Sequence, residues 1–278
     1  MNFGRKKKMK KVLTLVIFSL LNFVNILFGN IILNDGQEHR ILNEINEAIL
    51  IEHNEFWDKT TSLIVQENGT INSQVIAYDD SRFEMRDNAF VQDFVGKNNS
   101  ISNVYNGKLN FRLENNSSLS FWQGQALSNI QIFNSSDFFM RGGISNGHLY
   151  AYDSSDIFLY DGIFEGYLYS TGYSEMSIYG GTFNEQIIAG FNSKIIIYGY
   201  NFKVDGWSAP YGVYDSSHGE GTLTGVLSNG DLINTSINIR DDAKIILAPI
   251  PEPATFLLLC VGGLILRKTK VNFWKKEK

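Results

Sequence analysis

Residues 124–199 consist of four segments that align with a period of nineteen residues: GQALSNIQIFNSSDFFMRG (124–142), GISNGHLYAYDSSDIFLYD (143–161), GIFEGYLYSTGYSEMSIYG (162–180) and GTFNEQIIAGFNSKIIIYG (181–199). A fixed period of about twenty to fifty residues is typical of chains in which each unit buries its apolar side against the next unit. The sequence therefore predicts a stack of similar units.

Apolar residues recur at matching positions of every copy. Residues two apart on a strand share a face, so two columns of apolar residues two positions apart predict one buried wall. One wall consists of Leu119, Phe138, Ile157, Met176 and Ile195, with Phe121, Met140, Leu159, Ile178 and Ile197. The other consists of Phe111, Ile130, Leu149, Leu168 and Ile187, with Leu113, Ile132, Ala151, Ser170 and Ala189. Each copy is therefore predicted to hold two short strands.

Small residues mark the bends between these strands. One bend carries serine, which favours turns because its hydroxyl bonds the local backbone. The other carries glycine, for which a positive φ costs least. The serines are Ser117, Ser136, Ser155, Ser174 and Ser193, and the glycines are Gly124, Gly143, Gly162 and Gly181.

The period also restricts the architecture. A strand–helix–strand unit needs roughly thirty residues, which is more than one copy provides. We therefore expect an all-β, parallel β-solenoid with coils about 4.8 Å apart, wound right-handed as parallel crossovers are. An antiparallel sandwich or barrel is the alternative, because it also has regularly spaced short strands. The strict period favours the solenoid.

The repeat predicts how the rest of the chain is organised. Solenoid repeats are expected over residues 60–204 as seven or eight coils, with Phe83 and Phe121 in one column. Residues 30–59 are an N-terminal cap or a first imperfect coil. The strand-like run at 62–65, one period before residues 81–83, favours the coil. Residues 205–248 predict a C-terminal strand cap, since an Asn-Gly pair between alternating runs is a strong hairpin signal.

Both ends of the chain are apolar and flanked by basic residues. A basic head and an apolar run make residues 1–29 a predicted signal peptide with a signal helix, and an uncleaved anchor helix is the alternative. Near the other end, Pro251, Glu252 and Pro253 precede a short apolar segment, predicted to be helical, and a basic cluster. Residues 249–270 form this tail, and residues 271–278 a basic end that favours the cytoplasmic side.

The order of these three parts resembles the PEP-CTERM sorting signal of certain bacteria. The run LTGVLSNGDLIN (223–234) also resembles the closing part of secreted PEP-CTERM proteins with solenoid repeats. The resemblance implies that a membrane-bound exosortase is a partner and processes the tail near the motif. It further implies a role at the cell surface or in an extracellular matrix rich in polysaccharide. The resemblance indicates how the protein would be exported and processed, and it indicates no enzymatic reaction.

Charge and cysteine content restrict the partners of the predicted domain and the interactions that stabilise it. Residues 30–248 contain twelve Lys and Arg against twenty-seven Asp and Glu, a net charge of −15, whereas the whole chain carries −5. Such acidity argues against nucleic acid and anionic lipid as partners. The only cysteine, Cys260, lies in the tail, so the predicted domain depends on its core and sheet rather than on disulfides.

Aromatic residues repeat with the same period and provide the candidate ligand surface. Tyr160, Tyr179 and Tyr198 form a column that Trp122 extends and that Arg141 interrupts. A second outward pair is Tyr150 and Tyr169. Exposed aromatic rings could stack on the sugars of an extracellular polysaccharide. The alternative is that stacked identical side chains only stabilise neighbouring coils.

Catalytic patterns are not found in the sequence. The chain has no nucleophile elbow, no metal-ligand spacing and no phosphate-binding loop. We therefore expect a non-enzymatic exported protein that uses no metal and no cofactor. A carbohydrate-binding module that uses the tyrosines is the alternative. A further alternative is a polysaccharide lyase or hydrolase, which would need converging carboxylates.

Overall fold

The computed structural model of this chain describes residues 30–54 and 59–250. The predicted signal peptide, the motif Pro251–Glu252–Pro253, the apolar tail and the basic end lie outside the described residues. Both predicted terminal helices therefore remain predictions.

The described residues form one continuous sheet of twenty-six strands. The strands up to residue 132 are β1 (Ile31–Leu33), β2 (Glu38–Ile41), β3 (Glu44–Ile45), β4 (Ile49–Ile51), β5 (Ser62–Val65), β6 (Thr70–Ala77), β7 (Arg82–Met85), β8 (Ala89–Gly96), β9 (Ile101–Val104), β10 (Gly107–Leu113), β11 (Ser118–Phe121), β12 (Gln125–Ala126) and β13 (Ile130–Ile132). Those after it are β14 (Asp137–Ser145), β15 (Leu149–Ala151), β16 (Asp156–Phe164), β17 (Leu168–Ser170), β18 (Glu175–Ile178), β19 (Thr182–Phe183), β20 (Ile187–Ala189), β21 (Lys194–Val204), β22 (Trp207–Ser208), β23 (Gly212–Tyr214), β24 (Glu220–Leu227), β25 (Leu232–Ile239) and β26 (Lys244–Ala248).

These strands build a parallel β-solenoid of about nine coils with roughly 19 residues each, which confirms the predicted all-β class and solenoid. Each full coil contributes to three parallel ladders, which we call faces 1, 2 and 3. Face 1 contains β2, β5, β7, β9, β11, β14, β16, β18, β21 and β26. Face 2 contains β1, β4, β15, β17, β20, β25, β13 and the second halves of β6, β8 and β10. Face 3 contains β3, β12, β19, the first halves of β6, β8 and β10, and the second halves of β14 and β16.

The prediction of two strands per coil was wrong, because face 3 adds a third wall. Its inward residues are Leu109, Ala126, Ser145, Phe164 and Phe183, all buried. This column mixes large, small and polar side chains, so it does not stand out as an apolar column. In β14 and β16 one strand also bends across the corner into face 3, so no turn marks the boundary.

The two predicted walls lie in register on faces 1 and 2. Phe138, Ile157, Met176 and Ile195 pair across successive coils of face 1 and are fully buried. Stacking places each of these side chains on the equivalent one of the next coil, and together they fill the interior. The periodic columns therefore do form the core.

Earlier coils depart from the nineteen-residue period. Phe83 pairs with Ser102, which pairs with Leu119, so Phe83 belongs to the column of Leu119 rather than of Phe121. The residue that shares the Phe121 column is Met85. The predicted column was wrong because the coil from Ser102 to Leu119 is two residues shorter than the nineteen-residue period.

Polar residues build the corner between faces 2 and 1. The serines at this corner are buried, from Ser81 to Ser193. On the outside, Asn134 Nδ2 donates to Asn115 Oδ1 of the coil before it at 2.7 Å. Positive φ angles at Asn98, Asn134 and Asp153 turn the chain at this corner. Asparagine and aspartate tolerate this conformation better than other side chains do.

The opposite bend uses glycine as predicted. Gly124, Gly143, Gly162 and Gly181 have φ of 110°, 86°, 130° and 115°. At Gly124 a Cβ atom would also lie 2.3 Å from the carbonyl oxygen of Gly107. Any side chain here would push neighbouring coils apart.

The two ends of the solenoid differ. At the C-terminal end, β25 and β26 pair in parallel with β20 and β21 and complete the last coil. Two antiparallel strands then cover their outer edges, β24 on β25 and β23 on β26. At the N-terminal end β1, β2 and β3 are the first strands, and no strand among the described residues pairs with their outer edges.

Within residues 30–54 and 59–250 there is no helix with the length and apolar character needed to cross a membrane.

Candidate functional site

The predicted tyrosine column lies on the outer surface of face 1. On its strands Ile157 and Leu159 point inward, so Tyr160 points outward, and Tyr179 and Tyr198 repeat this position. The rings of Tyr160 and Tyr179 are 5.1 Å apart and nearly parallel, and those of Tyr179 and Tyr198 are 4.5 Å apart. The three rings therefore form one stack along the solenoid.

Arg141 continues this stack and does not interrupt it, contrary to the sequence interpretation. Its guanidinium lies 4.7 Å from the centre of the Trp122 ring and 4.9 Å from that of Tyr160. A guanidinium is planar and is attracted to an aromatic face, so it can replace a ring in the column. Tyr105 follows Trp122 at 6.3 Å. We call the set Tyr105, Trp122, Arg141, Tyr160, Tyr179 and Tyr198 the aromatic stripe.

Stacking restricts what the aromatic stripe can contact. Tyr179 has a ring on each side, so both of its faces are covered and only its edge and hydroxyl reach the surface. Burial raises the pKa of Tyr179 to about 12, and the neighbouring Tyr198 adds to the shift. Trp122 is more open, with 43% of its surface exposed. The geometry thus offers a row of hydroxyl groups rather than a series of free ring faces.

Carboxylates run parallel to the aromatic stripe on the same face. Asp137, Asp156 and Glu175 occupy equivalent positions of successive coils, and Lys194 follows them. Burial and the adjacent Asp156 raise the pKa of Asp137. Burial and Glu175 likewise raise the pKa of Asp156, which Lys194 partly opposes. Lys194 Nζ contacts Glu175 at 2.5 Å, so part of this negative charge is neutralised.

Tyr150 and Tyr169 lie on face 2 and form a separate surface. They point outward from β15 and β17 and meet edge to face, with ring centres 6.1 Å apart. Tyr152 lies beside Tyr150 and stacks on Phe133 at 4.7 Å. The structure therefore does not join Tyr150 and Tyr169 to the aromatic stripe, because the two groups occupy different ladders.

A polar groove was missed by the sequence interpretation. It holds about 460 Å³ and lies between a corner of the solenoid and the β24–β25 hairpin. Its lining residues are Tyr167, Asn184, Glu185, Gln186, Thr222, Asn234, Thr235 and Ser236. One signal could have pointed to it: two earlier copies have glycine at the middle of this corner, Gly147 and Gly166, whereas the last copy has Glu185.

Metal ligands do not converge in the described part of the chain. No three His, Cys, Asp or Glu side chains within residues 30–54 and 59–250 are placed to hold one ion. The predicted sorting motif Pro251, Glu252 and Pro253 lies outside this part.

Comparisons with protein-family models, with curated proteins and with solved structures found no match to this chain.

Proposed function

We propose that this chain is an exported protein, sorted by an exosortase, whose solenoid is a non-enzymatic ectodomain at the cell surface or in an extracellular matrix. The tail would insert in the membrane before processing. We infer a right-handed winding, which parallel crossover connections favour.

The observation that carries the proposal is where the last described strand ends. Among the described residues the last strand, β26, ends at Ala248, and β23 pairs with its outer edge. Pro251 follows three residues later in the sequence, with the apolar run and the basic cluster behind it. All strands of the described sheet precede the predicted tail, so cleavage near Pro251 would remove none of them, and this arrangement supports the proposal.

Replacement of Pro251, Glu252 and Pro253 by alanine tests this proposal. In cells that contain an exosortase, we expect the full chain to lose its tail and the triple variant to keep it. Mass spectrometry of both protein ends, after cell fractionation, measures the outcome. Pro210→Ala is the matched control, since Pro210 is exposed within the fold. Normal processing of the triple variant would reject the assignment.

A second candidate function is carbohydrate binding on face 1. The observation that favours it is that the tyrosine column and the carboxylates of Asp137, Asp156 and Glu175 both lie on the outer surface of face 1, four strand positions apart. Because the ring faces cover one another, binding here would depend on hydroxyls, on carboxylates and on the open ring of Trp122. Tyr160→Ala and Tyr179→Ala should weaken retention on a glycan array several-fold relative to the unchanged chain. Equal retention of the unchanged chain and both variants would exclude this surface.

A further inference from the structure

The polar groove exists because two layers of the solenoid follow different paths. β25 is continuous from Leu232 to Ile239, whereas the coil beneath it turns between β19 and β20 at residues 184–186. Thr235 Oγ1 donates to the carbonyl oxygen of Glu185 at 2.6 Å and ties the two layers together. The walls of the groove are therefore fixed by strand pairing and by this bond.

Most polar side chains in the groove have unused hydrogen-bonding capacity. Among the described residues, no hydrogen bond involves the side chains of Glu185, Gln186, Thr222, Asn234 and Ser236. Each amide offers two donors and one acceptor, the carboxylate offers two acceptor oxygens, and each hydroxyl offers both roles. One concave surface therefore carries both donors and acceptors that a ligand could use.

Tyr167 adds an aromatic ring whose position is set by the coil before it. The ring stacks on His148 with centres 4.2 Å apart and an angle of 4°. The backbone N–H of Tyr167 also donates to His148 Nδ1 at 3.0 Å. One face of the ring is therefore covered, while 40% of the residue remains exposed. A ring held in this way needs little reordering to bind a ligand.

We infer that this groove binds a neutral sugar unit of a polysaccharide or oligosaccharide. Amide and carboxylate groups match the paired hydroxyls of a sugar, and an aromatic ring matches its apolar C–H surface. None of the described residues that line the groove is basic, and Glu185 repels anions, so phosphates and uronic acids fit poorly. The inference rests on the second proposed function, because both require that this protein binds carbohydrate. It places the binding site in the polar groove rather than on face 1.

Calorimetry with the full chain tests the inference. The probes are a panel of neutral hexose and pentose oligosaccharides, including maltohexaose, cellohexaose and xylohexaose, with oligogalacturonate as the anionic comparison. We expect binding of at least one neutral oligomer and none of oligogalacturonate. Gln186→Ala and Asn234→Ala should each weaken that binding about fivefold, as loss of one neutral hydrogen bond does. Tyr167→Ala should weaken it about tenfold.

Matched controls separate the groove from the rest of the surface. Gln131→Ala removes an amide from the outer surface of face 2, and Tyr200→Ala removes a ring of similar exposure, 42%. Both controls should bind like the unchanged chain, and all variants should keep its melting temperature. Equal binding by the groove variants, or preference for oligogalacturonate, would overturn the inference. If only Tyr160→Ala and Tyr179→Ala lose binding, the groove is not the site, but the second proposed function stands. If no neutral oligomer binds, the groove inference and the second proposed function are both wrong.

Discussion

Phe191 occupies a backbone conformation that suits few side chains. Its φ is +39°, and equivalent corners of earlier coils carry asparagine, aspartate or glycine at such a position, as at Asn134, Asp153 and Gly172. A bulky L-residue with positive φ is strained because Cβ approaches the backbone carbonyl. The residue is 59% exposed, so little buried contact area compensates for the strain.

Phe191→Asn should therefore stabilise the fold by about 1 kcal/mol, since asparagine tolerates this conformation. Urea unfolding monitored by circular dichroism measures the change. Tyr173→Asn is the control, because Tyr173 is an exposed aromatic residue of the adjacent turn that is not among the residues with positive φ. A loss of stability in Phe191→Asn would show that the ring has a stabilising contact.

The corner between faces 2 and 1 also contains buried serines. For two of them we expect opposite effects of replacement by alanine. Ser174 Oγ donates to the carbonyl oxygen of Thr171 at 2.8 Å and lies 2.7 Å from Ser170 Oγ. Ser155 Oγ is buried, and no described residue forms a hydrogen bond with it. Removing a bonded hydroxyl leaves its partners unsatisfied, whereas removing an unbonded one relieves a desolvation cost.

We expect Ser174→Ala to lower the free energy of unfolding by about 1–2 kcal/mol. Ser155→Ala should leave it unchanged or raise it. Chemical unfolding of the two variants side by side gives the comparison, and an equal loss in both would contradict the hydrogen-bond assignment.

The aromatic stripe predicts how stability changes at alkaline pH. The pKa of Tyr179 is about 12 in the folded chain, above the ordinary value of 10.0. The folded state therefore holds this proton more tightly than the unfolded state. This contribution to stability is complete below about pH 10 and is lost as the pH rises through about 12.

Unfolding free energies of the natural chain and of Tyr179→Phe, measured from pH 9 to pH 12, test this sign. Phenylalanine has no proton to lose, so the variant should lose less stability over this range. A parallel decline in both proteins would show that other groups cause the alkaline effect.

Sequence reasoning succeeded for strands whose inward residues are alike in every coil, and failed where they differ. Ile157, Met176 and Ile195 are interchangeable in volume and polarity, so their column is visible without a structure. Ala126, Ser145 and Phe164 differ in volume and polarity, so the sequence does not show their column, and face 3 was not predicted. The polar groove was also hidden, because it depends on β25, which is fifty residues away in sequence from the turn that it faces.

The repeat predicts that one complete coil can be removed. Deletion of residues 143–161 would join Gly142 to Gly162 and keep every column in register. The shortened chain should fold, with a rod shorter by about 4.8 Å. Circular dichroism and small-angle scattering test this outcome.

Deletion of residues 143–152 is the control. Because this deletion is shorter than one coil, it would move the residues of one face into the positions of another face. This shortened chain should therefore not fold cooperatively. Equal behaviour of the two deletions would contradict the dependence on register.

The unequal ends of the rod limit how copies of this protein could aggregate. An exposed strand edge recruits further strands, and filaments grow when both ends remain open. Here the antiparallel strands β23 and β24 lie on β26 and β25, so the parallel ladders do not continue past them at this end. If removal of residues 1–29 leaves β1, β2 and β3 open, two copies could pair through these strands, with β23 and β24 of each copy facing outward. Such association is self-limiting, so the protein could reach high local concentration without forming amyloid-like filaments.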